Sequence, residues 1–150
     1  VTLARPERRT AFDAALIAEL ADAFADVGVA RVIVLTGSGP SFSAGADVEW
    51  QRASIDLTYE ENVEDALRLY RMLDAIHSCP APVVGAVHGF ALGGGSGLVG
   101  AADVAVAHPD ATFGFTEVRL GLIPAVISPF VLAKIGAAAR RYFVTAERFG

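Results

Sequence analysis

Two stretches of small residues and one isolated acid are the parts of this chain best suited to chemistry. The first stretch is His88-Gly89-Phe90-Ala91-Leu92-Gly93-Gly94-Gly95-Ser96-Gly97. It follows the apolar run Pro82 to Val87, which reads as a buried strand, and precedes Leu98 to Ala102, which reads as the start of a short helix. Glycines cost conformational entropy on folding, so three in a row need a use. A helix N-terminus whose free N–H groups face an electron-rich ligand atom, with no side chain in the way, supplies one. A tight strand-to-helix turn accounts for one or two glycines, and a flexible linker would bring polar residues rather than Phe90, Ala91 and Leu92. A ligand-facing turn accounts for the whole stretch.

The second stretch is Ser41-Phe42-Ser43-Ala44-Gly45-Ala46-Asp47, at the carboxyl end of a predicted strand, where α/β proteins place ligands. Ala44 to Asp47 and Gly93 to Gly95 therefore offer two sets of backbone N–H groups. Together they can hold a carbonyl oxygen as it becomes an oxyanion, an effect worth about 3–4 kcal/mol per donor. The acid is Glu117, set in an apolar run between Phe115 and Leu120. Desolvation there raises a carboxyl pKa and suits it to general acid/base work. A salt bridge to Arg119 or Arg140 is the competing role for Glu117.

Other chemistries fit less well. Gly95-Ser96-Gly97-Leu98-Val99-Gly100 matches G-x-G-x-x-G, but the helix after it is barely two turns and Asp103 comes before its strand. Leu98 breaks the G-x-S-x-G pattern, so Ser96 is not a nucleophile elbow, and a Ser96–His88 hydrolase is a remote alternative. His77, His88 and His108 are scattered with no ligand spacing, so no metal site is expected.

The elements that must position these residues alternate. Asp13 caps a helix carrying Leu16, Ile17, Leu20, Phe24 and Val27 at helical spacing, closed by Gly28. Val29 to Thr36 is β-branched and reads as a buried parallel strand, ending in the turn Gly37-Ser38-Gly39-Pro40. Thr58 and Glu61 form a capping box for a helix to about His77, with Val63, Ala66, Leu67, Tyr70, Leu73 and Ile76 as its apolar stripe. Asp103 to Ala107 and Ala111 to Phe115 read as short strands, and Pro129 to Ile135 and Ala137 to Thr145 as short helices. This alternation predicts an α/β layer fold over residues 1–150 as one domain. Val131, Leu132 and Ile135, with Tyr142 and Phe143, form apolar faces that want a cover, so the chain is expected to be a fragment or to bury them in an oligomer.

With 150 residues there is room for one hydrophobic core. A composition 53% hydrophobic and 19% charged argues against disorder, and a net charge of −5 against a nucleic-acid partner. No run approaches a membrane span, because Gly, Pro or charge cuts each one. Cys79 stands alone, so no internal disulfide can form, and it is expected as a buried, inert thiol. With no basic-then-apolar leader in Val1 to Pro6, the expected setting is reducing and cytoplasmic.

These residues resemble the crotonase family, the enoyl-coenzyme A hydratase/isomerases. The likeness runs through Arg5 to Arg9, Phe42 to Asp47, Pro82 to Gly97, Ala102-Asp103 and Glu117 to Pro124. It implies a spiral of strand-strand-helix turns, here without the first strand and much of the C-terminal helical region, and assembly as a trimer or a dimer of trimers. It implies that the Ala46 and Gly94 N–H groups form the oxyanion hole for a thioester carbonyl, with Ala44, Asp47 and Val48 along the coenzyme A and acyl path. Arg8 and Arg9 would meet the nucleotide phosphates, a solvated loop being the alternative. Coenzyme A would arrive as part of the substrate, with no separate cofactor.

The family's hydratases hold one water between two glutamates. Glu117 falls on the second, while Gly97 stands where the first is expected, lining the substrate site. Asparagine is also usual where Ala4 and Thr10 stand, and the link from Asp26 to Arg31 is short. Single-glutamate members exist, including isomerases that shuttle a proton with one carboxylate. Glu117 through Phe130 is similar to bacterial methylglutaconyl- and carboxygeranoyl-coenzyme A hydratases, which also tend to lack the first glutamate. The resemblance thus implies hydration of an α,β-unsaturated, branched acyl-coenzyme A. An enoyl isomerase and an inactive scaffold of the same fold are the alternatives.

Overall fold

The computed structural model describes residues 1–150. Four parallel strands, β1 (Thr2–Leu3), β2 (Ile33–Gly37), β3 (Val83–Val87) and β5 (Val104–Ala107), form one sheet in the order β1-β2-β3-β5. A second, smaller sheet pairs β4 (Phe90–Leu92) with β6 (Thr112–Gly114), also in parallel. Parallel single-residue bridges, Phe12 with Ala46 and Ser43 with Ala91, continue this second layer toward the N-terminus. Each pass of the chain thus adds to the first sheet, crosses to the second and returns. This is the expected spiral of strand-strand-helix turns.

The helices are α1 (Ala14–Ala25), α2 (Val48–Ala53), α3 (Tyr59–His77), α4 (Gly94–Ala101), α5 (Ser128–Ile135) and α6 (Ala139–Thr145). Their termini follow local chemistry. The Asp13 side chain accepts from the Leu16 N–H, and Thr58 and Glu61 close both bonds of a capping box at the head of α3. The first helix ends at Ala25, short of Gly28, whose φ of +55° makes it a residue of the following turn. No helix is long and apolar enough to cross a membrane.

One core of 25 buried residues joins α1, α3 and α4 to the inner face of the large sheet. Burying each Leu, Ile, Val or Phe there contributes about 1.5–3 kcal/mol. Only one face of that sheet is covered, which corrects the expectation for Val29 to Thr36. Ile33 and Leu35 are buried, Val34 is 49% exposed, and Val29 is wholly exposed ahead of the strand. The stripe of α3 is corrected in the same way. Leu73 and Ile76 are buried, but Val63, Leu67 and Tyr70, ahead of its last two turns, are 39–40% exposed.

The C-terminal aromatics largely cover one another. The Phe115 and Phe143 rings meet edge-on at 4.7 Å, and Tyr142 stacks on Phe149 at 4.1 Å. Leu132 and Val144 stay exposed. Cys79 is a free, half-buried thiol packed against the core.

The passage from β3 to β4 turns on Gly89. Its φ is +61°, and a Cβ there would lie 2.2 Å from the Pro40 carbonyl oxygen. Gly89→Ala therefore meets both backbone strain and a backbone collision. A loss well above about 1 kcal/mol, read as a lowered urea midpoint, is the expected outcome.

Candidate active site

The loop after β2 is shaped by a buried polar relay. Thr10 donates its hydroxyl to the Phe42 carbonyl, Ser43 donates to the Thr10 carbonyl at 2.9 Å, and the Gly45 N–H donates to Ser43 Oγ at 3.1 Å. Thr10 has a φ of +52°, a left-handed conformation costly for a β-branched residue, and these bonds hold it there. The Ala44 N–H donates to the Arg9 carbonyl and the Asp47 N–H to the Phe12 carbonyl. Between them, the Ala46 N–H donates to no protein acceptor.

The second loop leaves β4 at Leu92, which is tied to the Ser43 carbonyl, and Gly93, tied to the Gly114 carbonyl at 2.8 Å. Gly93 turns the chain with a φ of +52° and opens α4, so Gly94, Gly95 and Gly97 are helical residues and not a loop ahead of the helix. Packing, as well as ligand access, explains why they are bare. A Cβ on Gly94 would lie 2.3 Å from the Phe12 ring, and one on Gly95 would lie 2.6 Å from the Ser43 carbonyl oxygen. Gly94 is the first residue of the helix, and its N–H has no acceptor in the protein. The two loops touch: a Cβ on Gly45 would be 3.1 Å from the Gly94 nitrogen.

Glu117 opens a short 3-10 turn, Glu117–Leu120, just after β6. Its Oε2 is buried and finds no hydrogen-bond partner, and Oε1 lies 3.2 Å from where a Cβ on Gly93 would sit. Desolvation raises its pKa above the ordinary 4.5. The competing salt bridge does not form, because Arg119 turns away and donates to the Ala146 carbonyl at 3.1 Å.

Ala44, Ala46, Gly93, Gly94 and Glu117 line one cavity of about 170 Å³, whose remaining wall is mostly apolar and includes Leu69, Leu122, Ile123 and Ile127. The structure thus brings the two loops and the acid together.

Other expected site residues lie elsewhere. Gly97 is outside the cavity lining, since α4 turns it toward Ile127, and a Cβ there would meet the Ile127 Cγ2 at 2.5 Å. Asp47 is spent as the cap of α2, accepting from the Glu49 N–H at 2.8 Å, and Val48 is exposed on the first turn of that helix. Arg8 pairs with Glu49 at 2.9 Å, and Arg9 is exposed with a φ of +53°. Neither arginine reaches the cavity. Ser96 is buried and donates to the Ala91 carbonyl at 2.7 Å, whereas the His88 ring bonds the Gly39 carbonyl, so no Ser–His pair exists. The cavity also takes in Gln51 and Thr116, which motif reasoning passed over. The only signal for Thr116 was its position next to Glu117.

Two measurements follow from this geometry. Gly97→Glu, which would restore the absent acid, should overpack α4 against Ile127 and lose about 1–3 kcal/mol in denaturant unfolding. Trimming the obstruction with Ile127→Ala in the same chain should recover part of that loss relative to the two single changes. Glu117→Gln should stabilise the protein at neutral pH. The raised carboxyl pKa means that the wild-type fold loses stability as pH rises through the glutamate range, whereas glutamine does not titrate. The gain should shrink toward zero below the unfolded-state pKa, as unfolding curves at pH 7 and pH 3.5 would show. An equal gain at both pH values would contradict it.

A sequence model described as enoyl-CoA hydratase/isomerase matches residues 1–150. A curated protein of Thermus thermophilus is 39% identical over 145 residues, covering 94% of this chain and 57% of its own length. An enoyl-CoA hydratase of Alternaria alternata, AKT6-1, is 36% identical over 152 residues, 99% of this chain and 49% of its own. Among solved structures, an enoyl-CoA hydratase from Shewanella pealeana superposes with a TM-score of 0.93 at 41% identity, covering 99% of this chain and 57% of that one. The chain therefore spans about half the length of the curated relatives it matches. A match that runs through the whole sequence and the whole fold makes this chain a member of the enoyl-CoA hydratase/isomerase family.

Proposed function

We propose that this chain carries the thioester-activating and proton-transferring part of an acyl-coenzyme A hydratase. The observation behind this reading is the shared cavity. Ala46 and Gly94, whose N–H groups have no protein acceptor, line it together with the unpaired Glu117 carboxylate. The thioester carbonyl of an α,β-unsaturated acyl-coenzyme A accepts from both amides, which favours the enolate-like state over the bound substrate. Glu117 takes a proton from water as its oxygen bonds the β-carbon, and then delivers that proton to the α-carbon. The reaction uses no metal or redox group, and coenzyme A enters with the substrate.

A small, mostly apolar cavity suits a short acyl chain, and the likeness of Glu117 to Phe130 to the methylglutaconyl type favours a branched one. Exposed Leu132, Ile123 and Val144 suit assembly of like subunits as a trimer or hexamer, and the lone cysteine suits a cytoplasmic setting.

A second reading, enoyl isomerase, is favoured by there being one carboxylate in the cavity and no room for a side chain at position 97.

Ultraviolet absorbance of the conjugated thioester separates the two. Loss of conjugation in a 2-enoyl-coenzyme A supports hydration, and its appearance in a 3-enoyl-coenzyme A supports isomerisation. Silence in both, with coenzyme A bound, identifies an inactive scaffold. Glu117→Gln should lower either rate by roughly 10²- to 10⁴-fold with little change in binding. The hydration rate should also fall on the acid side through a pKa above the ordinary glutamate value of 4.5. An active Gln variant removes Glu117 from the mechanism.

A further inference from the structure

The wall around Glu117 is poor in polar side chains, with only Thr116 and Gln51 adding any to the carboxylate. Thr116 stands at the N-terminal cap of the turn Glu117–Leu120, where a threonine hydroxyl ordinarily accepts a backbone N–H. It makes no such bond. Its carbonyl accepts from the Arg119 N–H at 3.1 Å, while its hydroxyl has no partner in the protein.

That hydroxyl and the carboxylate both approach the Gly93 backbone. From the point where a Cβ on Gly93 would sit, Thr116 Oγ1 is 3.5 Å away and Glu117 Oε1 is 3.2 Å away. Both oxygens crowd the same bare backbone, so together they edge one small polar niche in an apolar wall.

Adding water with a single carboxylate leaves an orientation problem. The carboxylate engages one O–H, and the other is free to swing, which scatters the lone pair that must attack the β-carbon. A steadily held water in such a site needs two or more polar partners. Position 97 cannot supply the second, because Ile127 occupies the space a side chain would enter.

We propose that Thr116 is the second anchor of the attacking water, its Oγ1 accepting one hydrogen while Glu117 accepts the other. This rests on the hydratase reading above. In the step, the water oxygen bonds the β-carbon as the carbon–carbon π pair moves toward the α-carbon and the thioester oxygen. The water proton passes to Glu117 and then to the α-carbon, so one water is consumed and the carboxylate is regenerated. The second O–H, held by Thr116, stays on the product as its hydroxyl.

The test compares Thr116→Val, which keeps the shape and removes the hydroxyl, with Thr116→Ser in the full chain. Two rates are read: hydration of a short 2-enoyl-coenzyme A, and exchange of the α-proton of a saturated acyl-coenzyme A into deuterated water. Exchange needs the oxyanion donors and Glu117 but no attacking water. Thr116→Val should lower the hydration kcat by roughly 10- to 100-fold, with KM and exchange held within about twofold. Thr116→Ser should restore most of the lost rate. If Thr116→Val unsettles the fold, Thr116→Ala is read by the same pair of rates.

Unchanged hydration in the Val variant, an equal fall in exchange, or no rescue by Ser each overturns the anchor alone. A wild-type chain that exchanges without hydrating overturns the hydratase reading, and the anchor with it.

Discussion

Two backbones in direct contact are the constraint on which the candidate site depends. Gly45 and Gly94 approach so closely that a methyl group on Gly45 would lie 2.5 Å from the Leu92 carbonyl oxygen and 3.1 Å from the Gly94 nitrogen. The parallel bridges from Ser43 to Ala91 and from Phe12 to Ala46 hold that approach rigid. Phe12 serves both sides of it, because its backbone pairs with the Ala46 loop while its ring fills the space beneath Gly94. With no side chain in between, Ala46 and Gly94, from separate turns of the spiral, line one small cavity, and neither N–H has a protein acceptor. Fixed dipoles of this kind need no rearrangement when charge develops on a bound oxygen.

The same region holds groups that do not favour folding. Glu117 is partly desolvated with an oxygen that no protein group satisfies, and Thr10 is kept in a left-handed conformation that few β-branched residues adopt. Each costs stability, the strained backbone by about 1–3 kcal/mol. Glu117 lines the cavity, and Thr10 braces the loop that carries Ala44 and Ala46 to it. Perturbed acids and strained backbone cluster where a site must be ready before its ligand arrives. The well-packed interior of α1, α3, α4 and the large sheet offsets these local costs.

Much of the frame was legible because its signals are local. The Thr58–Glu61 capping box and the apolar period after it predicted α3 to its last residue, and Pro82 to Val87 predicted β3 to within one. Val29 to Thr36 misled for a tertiary reason. β-branched residues suit a strand whether one or both of its faces are covered, and helices pack on only one face here. The part of α3 ahead of its last two turns misled in the same way, since an apolar stripe shows which face prefers burial and not whether anything covers it. Asp47 looked free to meet a ligand, but capping α2 is a short-range use of the same carboxylate that a motif match does not weigh.

The sequence by itself determined the alternation of strands and helices, the two small-residue stretches and the isolation of Glu117 in an apolar run. These follow from residue type and spacing along the chain. Only the tertiary structure decided that Glu117 has no basic partner, that Gly97 faces Ile127 and that the Gly93 backbone meets both Thr116 and Glu117. Each of those depends on segments distant in sequence coming together, and no local preference encodes where they meet.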